Sequence, residues 1–339
     1  MIQNFTLKSP LDMHIHVRDA DMLSLVAPYS AECFAGGIIM PNIAPPIMSL
    51  EALHSYRKRV LAACGNNLFL PYMTMFLKNY DDALIEEAAA HIAAMKLYPA
   101  GVTTNSEEGA KNIDSLEPQL KTMEALGIPL SVHAETHSHN LFHREQNFLP
   151  ILEYIAKRFP KLKIIFEHIS TKDGLKLVAD YENIYATITL HHMTLTVDDL
   201  MGERLNPHLY CKPIVKAEHH RDAVLEAALG AGEKIMFGSD SAPHPKSAKE
   251  SGLAPAGIFS APALLPKLAE IFEKHGKLEN LQKFACDNAA KIYEISPPEK
   301  YVTLEKAEYT IPAVCKNQKA EVISLFAGEK CGWRIKSVE

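Results

Sequence analysis

A (β/α)8 barrel is the fold class this sequence predicts, on three observations. Eight short apolar runs of strand length recur between Pro10 and Asp240. Segments with helical period separate them. The runs are near-continuously apolar, as strands become when helices cover the sheet. A Rossmann-type sheet is the rival, but no Gly-x-Gly-x-x-Gly follows the first run.

Taken in order, the runs are "PLDMHIH" (10–16), "GGIIMPN" (36–42), "LFLPYMTMFL" (68–77), "IAAMKLYP" (92–99), "IPLSVHAE" (128–135), "KIIFEHIS" (163–170), "IYATITLHH" (184–192) and "KIMFGSD" (234–240). "SLEALHSYRKRVLAAC" reads as a helix opened by the N-cap type residue Ser49. "DSLEPQLKTMEALG" starts at Asp114 and stops at Gly127, "EYIAKRF" ends before Pro160, and "AEHHRDAVLEAALGAG" runs into glycines. After "DNAAKIYEI" the texture changes: "SPPEK" breaks the helix, and "YTIPAV", "AEVISLF" and "GWRIK" read as short extended pieces. Residues 1–296 are therefore expected to form the barrel and 297–339 a tail packed on it.

The chain has 339 residues, 47% of them apolar and 22% charged, with a net charge of −6. That is ordinary globular composition and offers no basic surface for nucleic acid or membrane. No basic leader followed by an apolar core opens the chain, no run of membrane-spanning length occurs, and the six cysteines are scattered. The expectation is a cytoplasmic protein with reduced thiols and a small-molecule substrate.

In a barrel the chemistry sits at the strand C-termini. His14 and His16 end the first strand, and period-2 geometry puts them on one face, roughly 6.6 Å apart. With 16 histidines in the chain, about one His-x-His arises by chance, so the pair alone leaves core histidines and metal ligands both open. The other strand ends decide it. His133 ends strand 5, His168 strand 6 and Asp240 strand 8, all at one mouth. Four histidines and a carboxylate exceed the needs of one zinc, which suggests two metals roughly 3.5–4 Å apart. Lys96 lies within strand 4, where a buried ammonium needs either a salt bridge or a changed chemistry. The second option is a carbamate formed with CO2, an anion able to bridge two ions.

The motifs "HIHVRD", "MPN", "KLYPAGVTTNS", "VHAE", "EHIS" and "GSDSAPH" resemble the amidohydrolase superfamily, and more narrowly its single-function bacterial dihydroorotases. The resemblance implies two Zn2+ per subunit. His14, His16 and Asp240 match the ligands of one and His133 and His168 those of the other, with carboxylated Lys96 bridging. Arg18, Asn42 and His244 match residues that hold the substrate carboxylate, Thr103 and Thr104 a mobile loop, and Lys212 and Ala256 backbone contacts to substrate. Asp240 matches the proton shuttle. The reaction implied is the reversible cyclisation of N-carbamoyl-L-aspartate to L-dihydroorotate, by a homodimer. Two other readings stand beside it. A hydantoinase or dihydropyrimidinase needs no carboxylate clamp, and a catalytically inactive barrel acting as an assembly scaffold should have lost a ligand. His191 and His192 end strand 7, one of them a candidate for the site's edge and neither assigned as a ligand; His137, His139, His143, His219, His220 and the cluster Arg57–Arg59 are expected on the surface.

Overall fold

All eight expected strands form, in order, around one closed parallel sheet. The computed structural model describes residues 3–110, 113–137 and 140–339. After a short strand β1 (Asn4–Lys8), the barrel strands are β2 (Leu11–Ile15), β3 (Gly36–Ile39), β4 (Leu70–Phe76), β5 (Ala94–Leu97), β6 (Leu130–Val132), β7 (Ile164–Phe166), β8 (Ile184–Ile188) and β9 (Ile235–Phe237). Each pairs in parallel with its neighbour in sequence. Closure between β9 and β2 is made just past the strand ends: Asp240 N donates to His14 O at 2.8 Å and His16 N to Ser241 O at 3.0 Å. The backbone that closes the barrel therefore carries three of the candidate ligands.

The helices fall between the strands: α1 (Ala20–Cys33), α2 (Leu50–Cys64), α3 (Asp82–Ala89), α4 (Glu117–Leu126), α5 (Arg144–Arg158), α6 (Lys172–Asp180), α7 (Val197–Met201) and α8 (Glu218–Gly230). The Ser49 hydroxyl caps α2 by accepting from Ala52 N. A left-handed Gly127 (φ 71°) stops α4. Helix α5 starts well before the expected segment because it runs through Pro150, which reads as a breaker in sequence. Past β9 come α9 (Lys246–Lys249), α10 (Leu264–Lys274) and α11 (Asn288–Tyr293).

Strand alternation sorts the side chains. Met95, Leu97, Leu130, Val132, Ile164, Phe166, Ala186 and Ile188 face the helices in the main core. Ala94, Ile165 and Met236 face inward and join Leu11 and Met13, with Ile292 and Tyr293 of α11 beneath them. The same alternation sends Lys96, Ser131, Glu167 and Thr187 inward, all fully buried, as a polar layer above that apolar floor.

The tail makes an antiparallel sheet in which β10 (Tyr301–Glu305) lies between β1 and the strand Arg334–Val338. This sheet takes one strand from residues 4–8, a segment the sequence reading assigns to the barrel. The Lys300 ammonium donates to Ala31 O, Phe34 O and Leu68 O at 2.6, 3.0 and 3.1 Å, tying the sheet to the α1 and α2 side of the barrel. Among the described residues, no helix is long and apolar enough to cross a membrane.

Candidate active site

Eleven of the thirteen residues singled out in the sequence line one cavity at the strand C-termini: His14, His16, Arg18, Asn42, Thr103, Thr104, His133, His168, Lys212, Asp240 and Ala256. Lys96 and His244 complete the set from just behind the wall. Three of these residues, Arg18 (φ 58°), His168 (φ 41°) and Asp240 (φ 44°), have left-handed backbone. Non-glycine residues pay for that conformation, and such strain concentrates where function demands a particular side-chain direction.

The hydrogen bonds assign the histidine tautomers. His14 Nδ1 donates to Glu167 Oε2 at 2.8 Å and His16 Nδ1 donates to Asn42 Oδ1 at 2.8 Å. Both Nε2 atoms are then bare lone pairs, yet they lie 3.3 Å apart, and Asp240 Oδ1 is 2.9 Å from His16 Nε2 and 3.5 Å from His14 Nε2. Three acceptors facing one another is an arrangement that a cation completes. A second pair of histidines lies beside it. His133 Nε2 donates to Glu135 Oε2 at 2.8 Å, which leaves His133 Nδ1 facing His168 Nε2 at 3.1 Å. The rings of His14 and His168 are 5.0 Å apart, so the two groups adjoin.

Electrostatics support lone pairs here. Burial pushes the His16 imidazole down to about 4 and holds His133 and His168 below the usual range. Lys96 Nζ is buried with no hydrogen-bond partner among the described residues. The salt-bridge option for Lys96 is thus not realised. Burial pushes its ammonium down to about 8, against the pull of Glu167 and Asp240.

On the other side of the cavity, Arg18 Nε donates to Pro243 O at 2.9 Å, and its Nη2 lies 3.0 Å from His244 Nε2. That nitrogen is also 3.0 Å from Ala256 O, to which it must donate. One ring nitrogen cannot hold a proton for Ala256 and a lone pair for Arg18. With the Nε2 proton given to Ala256 O, Arg18 Nη2 is left for an incoming acceptor. The loop after β5 leans over this side: Asn42 Nδ2 donates to Thr104 O at 3.0 Å, Thr104 Oγ1 reaches Ala256 O at 3.5 Å, and Lys212 Nζ donates to Val102 O. The Lys212 side chain thus holds the loop.

Three partners escape a reading by strand ends. Glu167 is fully buried and ties His14, Ser131 and Thr187 together. Glu135 orients His133, and Tyr98 lines the cavity. The signal for both glutamates was in the text: each sits beside a candidate ligand in a run too apolar to hold an unpaired carboxylate. Two placements need correction. His191 and His192 are buried and line no part of the cavity. His192 already accepts from Thr189 Oγ1 and donates to Pro213 O, so its position is internal packing. His220 is buried too, its Nδ1 accepting from Lys172 N at the start of α6. His137, His143 and His219 are exposed, and His139 lies outside the described residues.

Known proteins resemble the chain from end to end. Residues 49–295 match the amidohydrolase family. A dihydroorotase of Helicobacter hepaticus is 42% identical over 99% of both chains. The crystal structure of a Campylobacter jejuni dihydroorotase superposes with a TM-score of 0.95 at 48% identity, over 99% of both chains. That of a Saccharomyces cerevisiae dihydroorotase in complex with 5-fluoroorotic acid gives 0.93 at 34% identity, again over 99% of both. With a relative this similar from end to end, the chain belongs to the dihydroorotase family of amidohydrolases.

Proposed function

We infer that the protein hydrolyses the ring amide of L-dihydroorotate, reversibly, to N-carbamoyl-L-aspartate, a step of pyrimidine synthesis. The observation that carries this reading is the pairing, in one cavity, of converging lone pairs at His14, His16 and Asp240 with an Arg18 guanidinium whose Nη2 meets only a His244 nitrogen shared with Ala256 O. Hydantoinase-type substrates carry no carboxylate for that guanidinium. A scaffold would have no need to keep every donor in place. Disappearance of dihydroorotate absorbance on adding the metal-loaded protein tests the reading; no change with a full metal complement would end it.

The residues fit two divalent cations, and we assign them as zinc. His14, His16 and Asp240 would hold one, His133 and His168 the other, with Lys96 as a carbamate shared by both. Bound there, the cations supply Lewis acidity that polarises the amide and acidifies water. The chain does the rest. Glu167, Asn42 and Glu135 fix which imidazole nitrogen faces inward. Asp240, kept ionised, takes the proton of the attacking water and returns it to the leaving ring nitrogen. Arg18, with Asn42 and His244 beside it, grips the carboxylate, while backbone at Lys212 and Ala256 borders the ring. Residues 297–339 act as a support packed on the 1–296 barrel, and the active form is a cytoplasmic homodimer, which sedimentation of the purified protein would check.

Two outcomes follow. A charge-assisted arginine–carboxylate contact is typically worth about 1.5–3 kcal/mol. R18M should therefore raise KM for dihydroorotate about tenfold or more while sparing zinc content. Loss of metal with an unchanged KM would contradict the assignment. The loop carrying Thr103 and Thr104 is a lid whose threonines contact the bound ring. A double T103V/T104V variant should lower kcat about tenfold, and amide exchange across residues 100–110 of the parent protein should slow on adding orotate. Identical exchange with and without orotate would rule out a lid.

A further inference from the structure

We propose that Lys249 is a positioning residue for carboxylate recognition, acting through the strap 255–257 on His244 and Arg18. The inference rests on dihydroorotate as substrate. Lys249 does not line the cavity and is only 3% exposed. Its ammonium donates to Tyr210 O at 3.0 Å, Pro255 O at 3.0 Å and Gly257 O at 2.8 Å. Three N–H groups meet three carbonyls, the full donor capacity of the group. Among the described residues the partners of this ammonium are those carbonyls, not a carboxylate. A buried cation without a counter-ion is costly, and an apolar side chain of the same length would fill the space but leave the Pro255 and Gly257 carbonyls without this donor. Packing alone does not call for a lysine.

What the charge organises is the strap. Two of its carbonyls flank Ala256, and the third, Tyr210 O, also accepts from Gly257 N at 2.9 Å. Ala256 is thereby held from both sides, with its own carbonyl turned to the site. There it accepts the His244 Nε2 proton at 3.0 Å and the Thr104 hydroxyl at 3.5 Å. Burial and the neighbouring Arg18 charge push the His244 imidazole down to about 3, so it is neutral and has a single proton to give. While Ala256 O takes the Nε2 proton, His244 has no lone pair on that atom for Arg18. Turn the Ala256 carbonyl away, and the imidazole can shift its proton to Nδ1 and accept from Arg18 Nη2, in competition with the substrate carboxylate. The ammonium thus decides whether Arg18 is presented to ligand or satisfied internally. Gly257 leaves the strap little freedom to adapt: a Cβ there would sit 2.4 Å from Ala242 O.

The test uses K249M and K249Q in the zinc-loaded, full-length protein. For K249M we expect KM for dihydroorotate to rise about tenfold with kcat within about threefold of the parent. Orotate affinity measured by calorimetry should fall by the same factor, and K249Q, with two donors, should fall between. In an R18M background the K249M change should add little, because the clamp it serves is already gone. Full additivity with R18M, or an unchanged orotate affinity in both single variants, would overturn the positioning role. So would loss of fold in both variants, in favour of a purely structural lysine. If the parent protein itself left dihydroorotate untouched, the functional reading would fall and this inference with it; parent turnover with normal variants sinks the inference alone.

Discussion

Replacing Asp240 by alanine is expected to lower dihydroorotate turnover by roughly a thousandfold or more, the scale of a lost general acid–base group, while the fold survives. The side chain sits where no other carboxylate of the described residues can replace it: Oδ1 is 2.9 Å from His16 Nε2, and Glu167 and Glu135 are committed to His14 and His133. Its proposed task needs an ionised carboxylate, the ordinary state of an aspartate at neutral pH. D240N separates the two roles, because the amide keeps the size and one oxygen but neither the charge nor the basicity. D240N should lose turnover as completely as D240A and retain more metal. The fold should survive because the barrel closes there through the backbone, Asp240 N to His14 O, which the substitutions leave intact. Circular dichroism, metal content and turnover on one preparation would check all three; near-parental turnover in D240A would remove Asp240 from the mechanism.

Lys96→Ala should abolish turnover and leave the protein unable to retain a full metal pair. The two proposed dications would bring +4 into the polar layer. The four histidines facing them are neutral, and Asp240 contributes −1. An ammonium at Lys96 would worsen the imbalance, whereas a carbamate, formed when the neutral amine takes up CO2 and releases a proton, adds −1 and two oxygens. The position suits this chemistry: the amine is buried, and among the described residues it has no ion-pair or hydrogen-bond partner to hold it as an ammonium. Metal content after dialysis, with turnover in CO2-depleted and bicarbonate-supplemented buffer, reads the effect. A short carboxylic acid such as propionate should partly restore both metal and turnover in K96A. A K96A protein with two tightly held zinc ions and parental turnover would refute the bridge.

How much of this was legible beforehand varies by kind of information. Strand positions were legible because a strand covered by helices must be apolar for most of its length, and eight such runs leave little choice of architecture. The residues at the mouth were legible because strand ends of a barrel converge, so His14, His16, His133, His168 and Asp240 could be placed together without coordinates. Helix α5 was under-read, since Pro150 looks like a stop and the surrounding structure tolerates it. The short strand β1 was missed because its partner is β10, nearly the whole chain away.

By itself, then, the sequence determined the barrel, the residues at its mouth and the class of chemistry they suit, all of which follow from local periodicity and residue type. Only the tertiary structure decided which atom of each residue is available. Glu167 on His14, Glu135 on His133 and Asn42 on His16 select the inward-facing nitrogens, the Ala256 carbonyl takes the His244 proton from Arg18's reach, and Lys249 sets that carbonyl. Apart from Glu135, which lies two residues from His133, each of these is a hydrogen bond between residues brought together by folding, with a direction fixed at the scale of tenths of an ångström. Spacing along the chain does not encode that direction.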